Sequence, residues 1–409
     1  MEKIKNQSHS KETLFYGLSI FFERTAYFGI RAILILYIFD KFPGFSQTQI
    51  QSIYGLFIGS FIISQLIGAL LGDLVLGNKK AIITGGFIQT AGILSLCIPG
   101  ITGLYAGLFL VVAGNGLYKP NLISNFGKTY LIKPKLLDSG FTLFYFIVNA
   151  GATIGAFIVG IAGESTGWIT GFVLAGILML TSVIFAFFTK VEKQEYTEIK
   201  LGSFVERSIK ILVALLLAGL FWSVYQITTF RVVQIQNSFH EISTLFNSIM
   251  IRDFLTTGII IILSLIASVI WTFLYSSQFF KLLTGFISGT IALGLYFFIP
   301  QVAEEQHVSI FLLSLVLMGI SEVHIAPVIH SVLTKYSNPR YLAILISLSY
   351  VPTKLLSLFF GLFNEKFAGH PEYGVYTALV IMVAGSILLL LFYRVKKRNS
   401  NRYADLNNN

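Results

Sequence analysis

Charged residues are scarce in this chain of 409 residues. Aspartate, glutamate, lysine and arginine together make up 12% of it, and its mean hydropathy is +0.77. A soluble domain carries about 25% charged residues. The composition therefore argues against a soluble enzyme or binding domain and predicts a membrane protein.

Several motifs that carry chemistry are also absent. Cysteine occurs once, as Cys97 in an apolar stretch, so there is no disulfide framework and no cysteine metal site. No phosphate-binding glycine loop, no metal-ligand spacing and no nucleophile–base pair is recognisable. A cleavable signal peptide is not expected, because the first apolar stretch is too long. We predict no enzyme, no catalytic residue, no metal and no cofactor.

Twelve hydrophobic stretches of about 20 residues, the length that crosses a bilayer as a helix, run along the chain. They lie at 13–39, 48–72, 80–99, 103–125, 139–162, 168–189, 205–227, 252–275, 281–300, 308–334, 341–363 and 372–394. Lysine and arginine concentrate in every second connection and in both terminal segments. The positive-inside rule then places both termini in the cytoplasm, so the net charge of +10 reflects topology rather than nucleic-acid binding.

The longest charged connection, from Thr189 to Phe204, divides the predicted spans into two sets of six. We predict an all-α membrane protein with an N-terminal six-helix half at 1–190, a cytoplasmic linker at 191–203, a C-terminal six-helix half at 204–396 and a cytoplasmic tail at 397–409. Two such halves around a midplane cavity are typical of carriers that work by alternating access.

Ionisable residues lie within the first predicted span. Each costs about 2.5–3.5 kcal/mol in a membrane, so such residues usually mark a functional site. At 3.6 residues per turn, Arg24, Tyr27 and Arg31 fall on one stripe, with Glu23 beside it. This stripe must face protein or water and predicts a carrier of a polar substrate. The alternatives are a structural Glu23–Arg24 ion pair and an Arg31 that extends towards the membrane surface.

The second predicted span ends in a glycine-rich motif with charges. Residues 68–73 read GALLGD and residues 77–80 read GNKK. The pattern resembles the loop motif of the major facilitator superfamily, in which an acid and basic residues latch the two halves. By that resemblance Asp73, Lys79 and Lys80 form a conformational latch, although Leu74 stands where the family has arginine. The alternative is a turn whose charges only set topology.

Three further stretches occur in order on predicted helices 1, 4 and 5. They read ERTAY at 23–27, GNGLYKPN at 114–121 and DSGFTLFYFIVNAG at 138–151. Together they resemble the proton-dependent oligopeptide transporter family of the major facilitator superfamily, which imports di- and tripeptides. Residues 321–327 and 334–340 resemble helix 10 and the following loop of that family. The resemblance implies the major facilitator fold.

The resemblance also implies roles for individual residues. Those that would bind substrate are Arg24, Tyr27, Arg31, Lys119, Asn149 and Glu322. The cations would bind the peptide carboxylate and backbone, which suits arginine because it matches a carboxylate with two parallel hydrogen bonds. Asn149 would bind peptide polar groups, with helix-to-helix contact as its alternative role. Glu322 would bind the peptide amino group, and Glu23 and Glu322 are the proton-coupling candidates.

The chain departs from the family pattern at positions that matter for coupling. Ile20 stands where helix 1 of the family has a second glutamate, and Gln226 stands where helix 7 has the acid that faces the helix 4 lysine. Lys354 introduces a charge on helix 11 where the family has none. Two acids proposed to handle protons are thus absent, and an uncoupled facilitator is an alternative to a symporter.

The charge at Lys354 leads to a separate hypothesis. A buried ammonium without a partner is costly, so we predict that Lys354 pairs with Glu322 on the neighbouring helix. Such a pair would partly neutralise the amine-binding acid and favour substrates with more negative charge. Gln226 and Lys354 are the predicted modifiers of the pocket.

The sequence thus predicts a secondary active transporter that imports di- or tripeptides by alternating access with proton coupling. It would act as a monomer in a bacterial-type plasma (inner) membrane, and its partners would be peptides, protons and the lipid bilayer. The alternatives are a carrier or facilitator of another anionic or zwitterionic metabolite, and a peptide sensor that does not transport.

Overall fold

The computed structural model describes residues 2–3, 8–190, 203–239, 242 and 249–407. Of the linker predicted at 191–203, only residue 203 is described, and the last two residues of the predicted tail also lie outside the described residues. Side chains are described from residue 8 to 394, apart from those gaps and residues 249–254.

The described residues are almost all helical. The helices are α1 (Lys11–Lys41), α2 (Gln47–Leu71), α3 (Asn78–Ser95), α4 (Ile101–Lys128), α5 (Leu137–Thr166), α6 (Trp168–Phe188), α7 (Phe204–Ser238), α8 (Ile249–Phe273), α9 (Gln278–Leu295), α10 (Gln306–Tyr336), α11 (Leu342–Leu348), α12 (Tyr350–Gly361), α13 (Asn364–Gly369) and α14 (Pro371–Asn407). A π-helical turn at Gly72–Leu76 follows α2. Two strands of two residues, β1 (Glu2–Lys3) and β2 (Leu274–Tyr275), pair antiparallel.

Ten helical segments of the described chain are long and apolar enough to cross a membrane. Helices α1 and α3 occupy the positions of the two remaining predicted spans, 13–39 and 80–99, without belonging to those ten. The ionisable residues inside α1 lower its hydropathy, which is the feature that marked it as a functional helix.

The predicted span at 341–363 consists of two helices, α11 and α12, separated at Ser349. Pro352 lies near the start of α12 and has no N–H to donate to the carbonyl group of Leu348. The interruption occurs at this point and makes Tyr350 the first residue of α12.

The chain divides into two compact units, which we call the first and the second unit. The first unit comprises Lys5–Ile211 and Leu333–Tyr350, and the second comprises Met1–Ile4, Leu212–Val332 and Val351–Asn409. In the first unit α1 packs along α5 and α6, α4 packs along α2 and α3, and α11 packs against α2 and α4. In the second unit α9 packs along α14.

Glycine and proline bring α2 and α4 together next to Lys119. Pro120 lies inside α4 and cannot donate to the carbonyl of Gly116, four residues earlier. That carbonyl oxygen lies against Gly68 of α2, where an added Cβ would be only 2.1 Å away. The absence of a side chain at Gly68 therefore lets α2 approach the backbone of α4 at the carbonyl that Pro120 cannot bond.

Candidate functional site

Glu23 is completely buried in the first unit and is surrounded by hydrogen-bond donors. Arg24 donates from Nε and Nη2 to its two carboxylate oxygens, both at 2.5 Å. Oε1 also accepts from Nδ2 of Asn115 on α4 at 2.8 Å and from Nε2 of Gln89 on α3 at 3.1 Å. Gln65 of α2 donates to Oδ1 of Asn115 at 3.2 Å. The carboxylate thus joins α1, α3 and α4, reaches α2 through Asn115, and compensates the buried charge of Arg24.

Aromatic rings separate the cations along α1. The guanidinium carbon of Arg24 lies 4.9 Å from the ring centroid of Tyr27, and that of Arg31 lies 5.5 Å from the ring of Phe28. Arg31 also donates from Nε to the hydroxyl of Tyr54 on α2 at 2.9 Å. The predicted stripe is therefore present, and cation–π contacts and hydrogen bonds hold its arginines in place.

Lys119 and Asn149 occupy α4 and α5 of the same unit. The Lys119 Nζ atom lies 4.7 Å from the ring centroid of Tyr350, at the start of α12. Asn149 is half-buried and donates from Nδ2 to the carbonyl of Tyr145, one turn earlier in its own helix, at 2.9 Å. Its amide oxygen is an acceptor that a ligand could use.

Glu322 is the buried acid of the second unit, with 5% of its surface exposed. The hydroxyl of Tyr225 on α7 donates to its Oε2 atom. The neighbouring Gln226 does not act as a substitute acid. Its Nε2 donates to the carbonyl of Ser357 on α12 at 2.8 Å and so holds α7 against α12.

The predicted pair between Lys354 and Glu322 is wrong. Both residues belong to the second unit, and no ion pair joins them among the described residues. Lys354 is exposed. The reason lies in how α12 packs: it meets α7 through Pro352, against Gly219, and through the carbonyl of Ser357. Lys354 is not part of that contact.

Asp73 lies in the π-helical turn after α2 and bonds to a helix N-terminus. Its Oδ2 accepts from the backbone N–H of Ile344 in α11 at 3.0 Å, and its Oδ1 accepts from Nδ2 of Asn78 at 2.8 Å. Lys128 of α4 donates to Oδ1 of Asn78 at 2.6 Å. A carboxylate at this end of α11 satisfies a backbone donor and interacts favourably with the helix dipole.

The two lysines beside Asp73 behave differently from it. Lys79 donates to the carbonyl oxygens of Phe187 and Thr189, at 3.0 and 2.5 Å, and so caps the C-terminus of α6. Lys80 is exposed. Of the three residues predicted to form a latch, Asp73 is therefore the one that contacts the segment Leu333–Tyr350.

Sequence reasoning did not single out several partners that complete the site. Gln89 and Asn115 bind Glu23, Tyr54 binds Arg31, and Tyr225 binds Glu322. Their polarity is the sequence feature that could have identified them, because a polar side chain within a hydrophobic span requires a partner.

The sequence of this chain matches a known protein family. Residues 16–350, most of the chain, match the Major Facilitator Superfamily. The chain belongs to the Major Facilitator Superfamily. As a superfamily member with many apolar helices, it is a multi-pass membrane protein.

Two peptide transporters illustrate its similarity within the superfamily. The di-/tripeptide transporter of Lactococcus lactis subsp. lactis (strain IL1403) is 32% identical over 167 residues, which are 39% of this chain and 34% of that protein. The peptide transporter YePEPT of Yersinia enterocolitica subsp. palearctica serotype O:3 (strain YE-P4) is 34% identical over 174 residues, 41% of this chain and 34% of that protein. The matched region thus spans about a third of the length of these relatives. The resemblance to oligopeptide transporters predicted from the motifs is confirmed by these relatives.

Solved structures match over almost the whole chain. A POT family transporter in complex with 5-aminolevulinic acid gives a TM-score of 0.63 at 20% identity and covers 96% of this chain and 98% of that chain. The POT family transporter PepTSo gives 0.62 at 15% identity, with 96% and 99% covered. At these identities the likeness concerns the fold, and the predicted major facilitator fold is confirmed.

Proposed function

We propose that this protein imports di- and tripeptides by alternating access, coupled to protons, as a monomeric member of the oligopeptide transporter family. Both termini would lie in the cytoplasm, and the membrane would be a plasma (inner) membrane. The named activities of the relatives support this proposal, together with the charged side chains inside both units.

The observation that carries the proposal is the set of cations in the first unit. Arg24 is buried, and Arg31 and Lys119 are half-buried, all within helices of a membrane protein. Such charges are costly unless they serve a polar ligand or a partner. We propose that they bind the peptide carboxylate and backbone, together with Tyr27, and that Asn149 contributes hydrogen bonds.

Glu322 is proposed to bind the peptide amino group. It is buried in the second unit and already accepts one hydrogen bond from Tyr225. A carboxylate can accept further hydrogen bonds through its remaining lone pairs, and an ammonium group supplies three donors.

Of the two proton-coupling candidates, Glu322 is favoured over Glu23. Four donor atoms, from Arg24, Asn115 and Gln89, point at the Glu23 carboxylate. Protonation of Glu23 would weaken these bonds and leave Arg24 as a buried charge without compensation. We therefore propose Glu23 as a structural carboxylate that orients Arg24, and Glu322 as the group that exchanges a proton.

The pocket modifiers Gln226 and Lys354 shift the proposed preference towards anionic substrates. Gln226 supplies no negative charge, and Lys354 is exposed rather than neutralised by Glu322. Lys354→Met should therefore lower the uptake of peptides with an acidic side chain more than that of dialanine. Equal effects on both substrates would exclude this role.

Asp73, with Lys79 and Lys80 beside it, is proposed as the latch that acts during the transport cycle.

Uptake of dialanine into proteoliposomes tests the proposal, with and without an inward-acid pH gradient. A proton symporter accumulates dialanine above equilibrium only with the gradient. Equilibration without accumulation would indicate an uncoupled facilitator. No uptake by folded, inserted protein would favour another anionic or zwitterionic metabolite, or a sensor, and dialanine binding without uptake would select the sensor.

Glu322→Gln provides the matching variant. The loss of a charge-assisted hydrogen bond of about 1.5–3 kcal/mol predicts weaker dipeptide binding, by roughly ten- to a hundredfold, and no accumulation. Glu305→Gln, at an exposed acid of the same unit, serves as the control and should transport normally. Wild-type accumulation in Glu322→Gln would exclude Glu322 from both proposed roles.

A further inference from the structure

A cavity of about 550 Å³ opens at one end of the first unit. It lies where α1, α3 and α5 end and where α4 and α6 begin. Its volume falls within the range of about 300–1,000 Å³ that is typical of small-molecule sites. Asp40, which lines it, is separated from Arg24 by about 24 Å along α1, at a rise of about 1.5 Å per residue. The cavity is therefore separate from the cations proposed to bind peptide.

The cavity contains one pair of opposite charges, at the end of α1. Nζ of Lys41 lies 3.0 Å from Oδ2 of Asp40, and Nε1 of Trp168 donates to the same oxygen at 2.7 Å. The side chains of Lys41 and Asp40 are 57% and 51% exposed. An ion pair with this exposure contributes little to stability. A ligand that carries both an ammonium group and an anionic group can therefore exchange partners with this pair at little cost.

The rest of the lining is largely apolar and continues onto the surface of the helices. Phe42, Leu96 and Ile169 line the cavity, and Ile169 is exposed. Ile98 and Ile101, which neighbour lining residues in the sequence, are exposed as well. Ile101 and Ile169 belong to helices that are long and apolar enough to cross a membrane, so their exposed side chains contact lipid. The apolar wall of the cavity thus continues into a surface that lipid covers.

Two aromatic residues indicate the depth of the cavity in the membrane. Tryptophan and tyrosine concentrate at the level of the lipid headgroups, where one part of the side chain is apolar and the other is polar. Trp168 is the first residue of α6, and Tyr37, one turn before the end of α1, donates its hydroxyl to the carbonyl of Leu96 at 3.3 Å. Both line the cavity. The charge pair therefore lies at headgroup level.

We propose that this cavity binds a phospholipid whose headgroup carries a phosphate and a primary ammonium group, as in phosphatidylethanolamine. Asp40 accepts N–H bonds from the ammonium group, and Lys41 binds the phosphate. The acyl chains lie along the exposed isoleucines. A choline headgroup has no N–H to donate, and a glycerol headgroup has no ammonium to pair with Asp40. This site goes beyond the proposed transport function and does not depend on it.

Cys97 provides the test, because it lines the cavity and is the single cysteine of the chain. Its modification by N-ethylmaleimide is followed by mass spectrometry in two kinds of nanodisc, which differ only in whether phosphatidylethanolamine or phosphatidylcholine is the zwitterionic lipid. In wild type, bound phosphatidylethanolamine should slow the modification several-fold. Asp40→Asn keeps the size of the side chain and an acceptor for Trp168 but loses the charge, so its two rates should agree within about twofold.

Glu164→Gln is the matched control. Glu164 is an exposed acid near the same end of α5, and it does not belong to the lining of the cavity. This variant should keep the difference between the two lipids that wild type shows. Equal rates in wild type, or a difference that persists in Asp40→Asn, would overturn the inference.

Native mass spectrometry provides a readout that does not depend on the thiol. Asp40→Asn should weaken the binding of phosphatidylethanolamine on the order of tenfold, because a charge-assisted hydrogen bond is lost, whereas Glu164→Gln should bind like wild type. Equal binding by Asp40→Asn and wild type would contradict the proposal. Soluble zwitterions separate a lipid site from a site for free solutes: protection of Cys97 in detergent by glycerophosphoethanolamine or dialanine, as strong as that by the lipid, would overturn the assignment to a phospholipid.

Discussion

Glu23 offers the sharpest test of how the first unit is held together. Glu23→Gln keeps the size of the side chain but removes its negative charge. Four donor atoms at 2.5–3.1 Å then face an amide that has one acceptor oxygen and an NH2 group of its own. Arg24, with only 5% of its surface exposed, loses its compensating charge.

The expected magnitude follows from this burial. Removing one partner of a buried ion pair typically costs about 3–5 kcal/mol, because the other charge stays buried without compensation. An exposed ion pair is worth about 0.2–1 kcal/mol. Glu206→Gln, which breaks the i,i+4 pair of Glu206 with Lys210 near the start of α7, is the control; the Glu206 side chain is 47% and that of Lys210 12% exposed, so the change should cost no more than about 1 kcal/mol.

Unfolding by SDS in mixed micelles measures both variants against wild type. The free energy of unfolding should fall for Glu23→Gln by several times the loss for Glu206→Gln. Arg24→Met combined with Glu23→Gln should recover part of the loss, since the isolated charge is gone. A loss below about 1 kcal/mol for Glu23→Gln would refute the argument that this carboxylate compensates Arg24.

Three further predictions follow from packing, capping and burial. Asp73→Ala should speed hydrogen exchange at the amide of Ile344 roughly five- to thirtyfold, because a charge-assisted bond at a helix N-terminus is lost; unchanged exchange in mass spectrometry would contradict this. Gly155→Ala should destabilise the protein by about 1–3 kcal/mol, because the new Cβ would lie 2.1 Å from a backbone oxygen, whereas Gly160→Ala meets open space and should cost less than about 0.5 kcal/mol; similar SDS midpoints for the two variants would disprove the packing argument. Burial lowers the pKa of His9, so between its ordinary pKa of about 6.5 and its lower folded pKa the unfolded state binds more protons. The stability that neutral His9 contributes is therefore lost as the pH falls from about 6.5 through the folded pKa. An NMR titration that gives His9 an ordinary or raised pKa would contradict the prediction.

Hydropathy predicted where helices cross the membrane but not where they end. The first span, predicted at 13–39, is observed as Lys11–Lys41, whereas the seventh, predicted to end at 227, continues to Ser238. The pattern detects only the apolar part of a helix, and helices can extend beyond the bilayer. The interruption before Tyr350 depends on the hydrogen bond that Pro352 cannot make, and a hydropathy window does not detect such a bond.

Helical periodicity likewise predicted one part of the candidate site and missed another. It placed Arg24, Tyr27 and Arg31 on one stripe, and their ring contacts agree with that placement. It could not identify Gln89 as a partner of Glu23, because hydrogen bonds between helices join residues at any sequence separation. The prediction that Lys354 pairs with Glu322 was wrong for a related reason. Periodicity shows which residues share one face of a helix, but it does not show which face packs against a neighbouring helix.

The proline in α4 also constrains how the protein is inserted into its membrane. Since Pro120 cannot donate to the carbonyl of Gly116, α4 alone would present that oxygen to lipid without its helical hydrogen bond, which is expensive in hydrocarbon. The surface of α2 around Gly68 lies close against it. During biogenesis α4 therefore benefits from a neighbour that is already inserted, and we expect α2 and α4 to pair early in assembly.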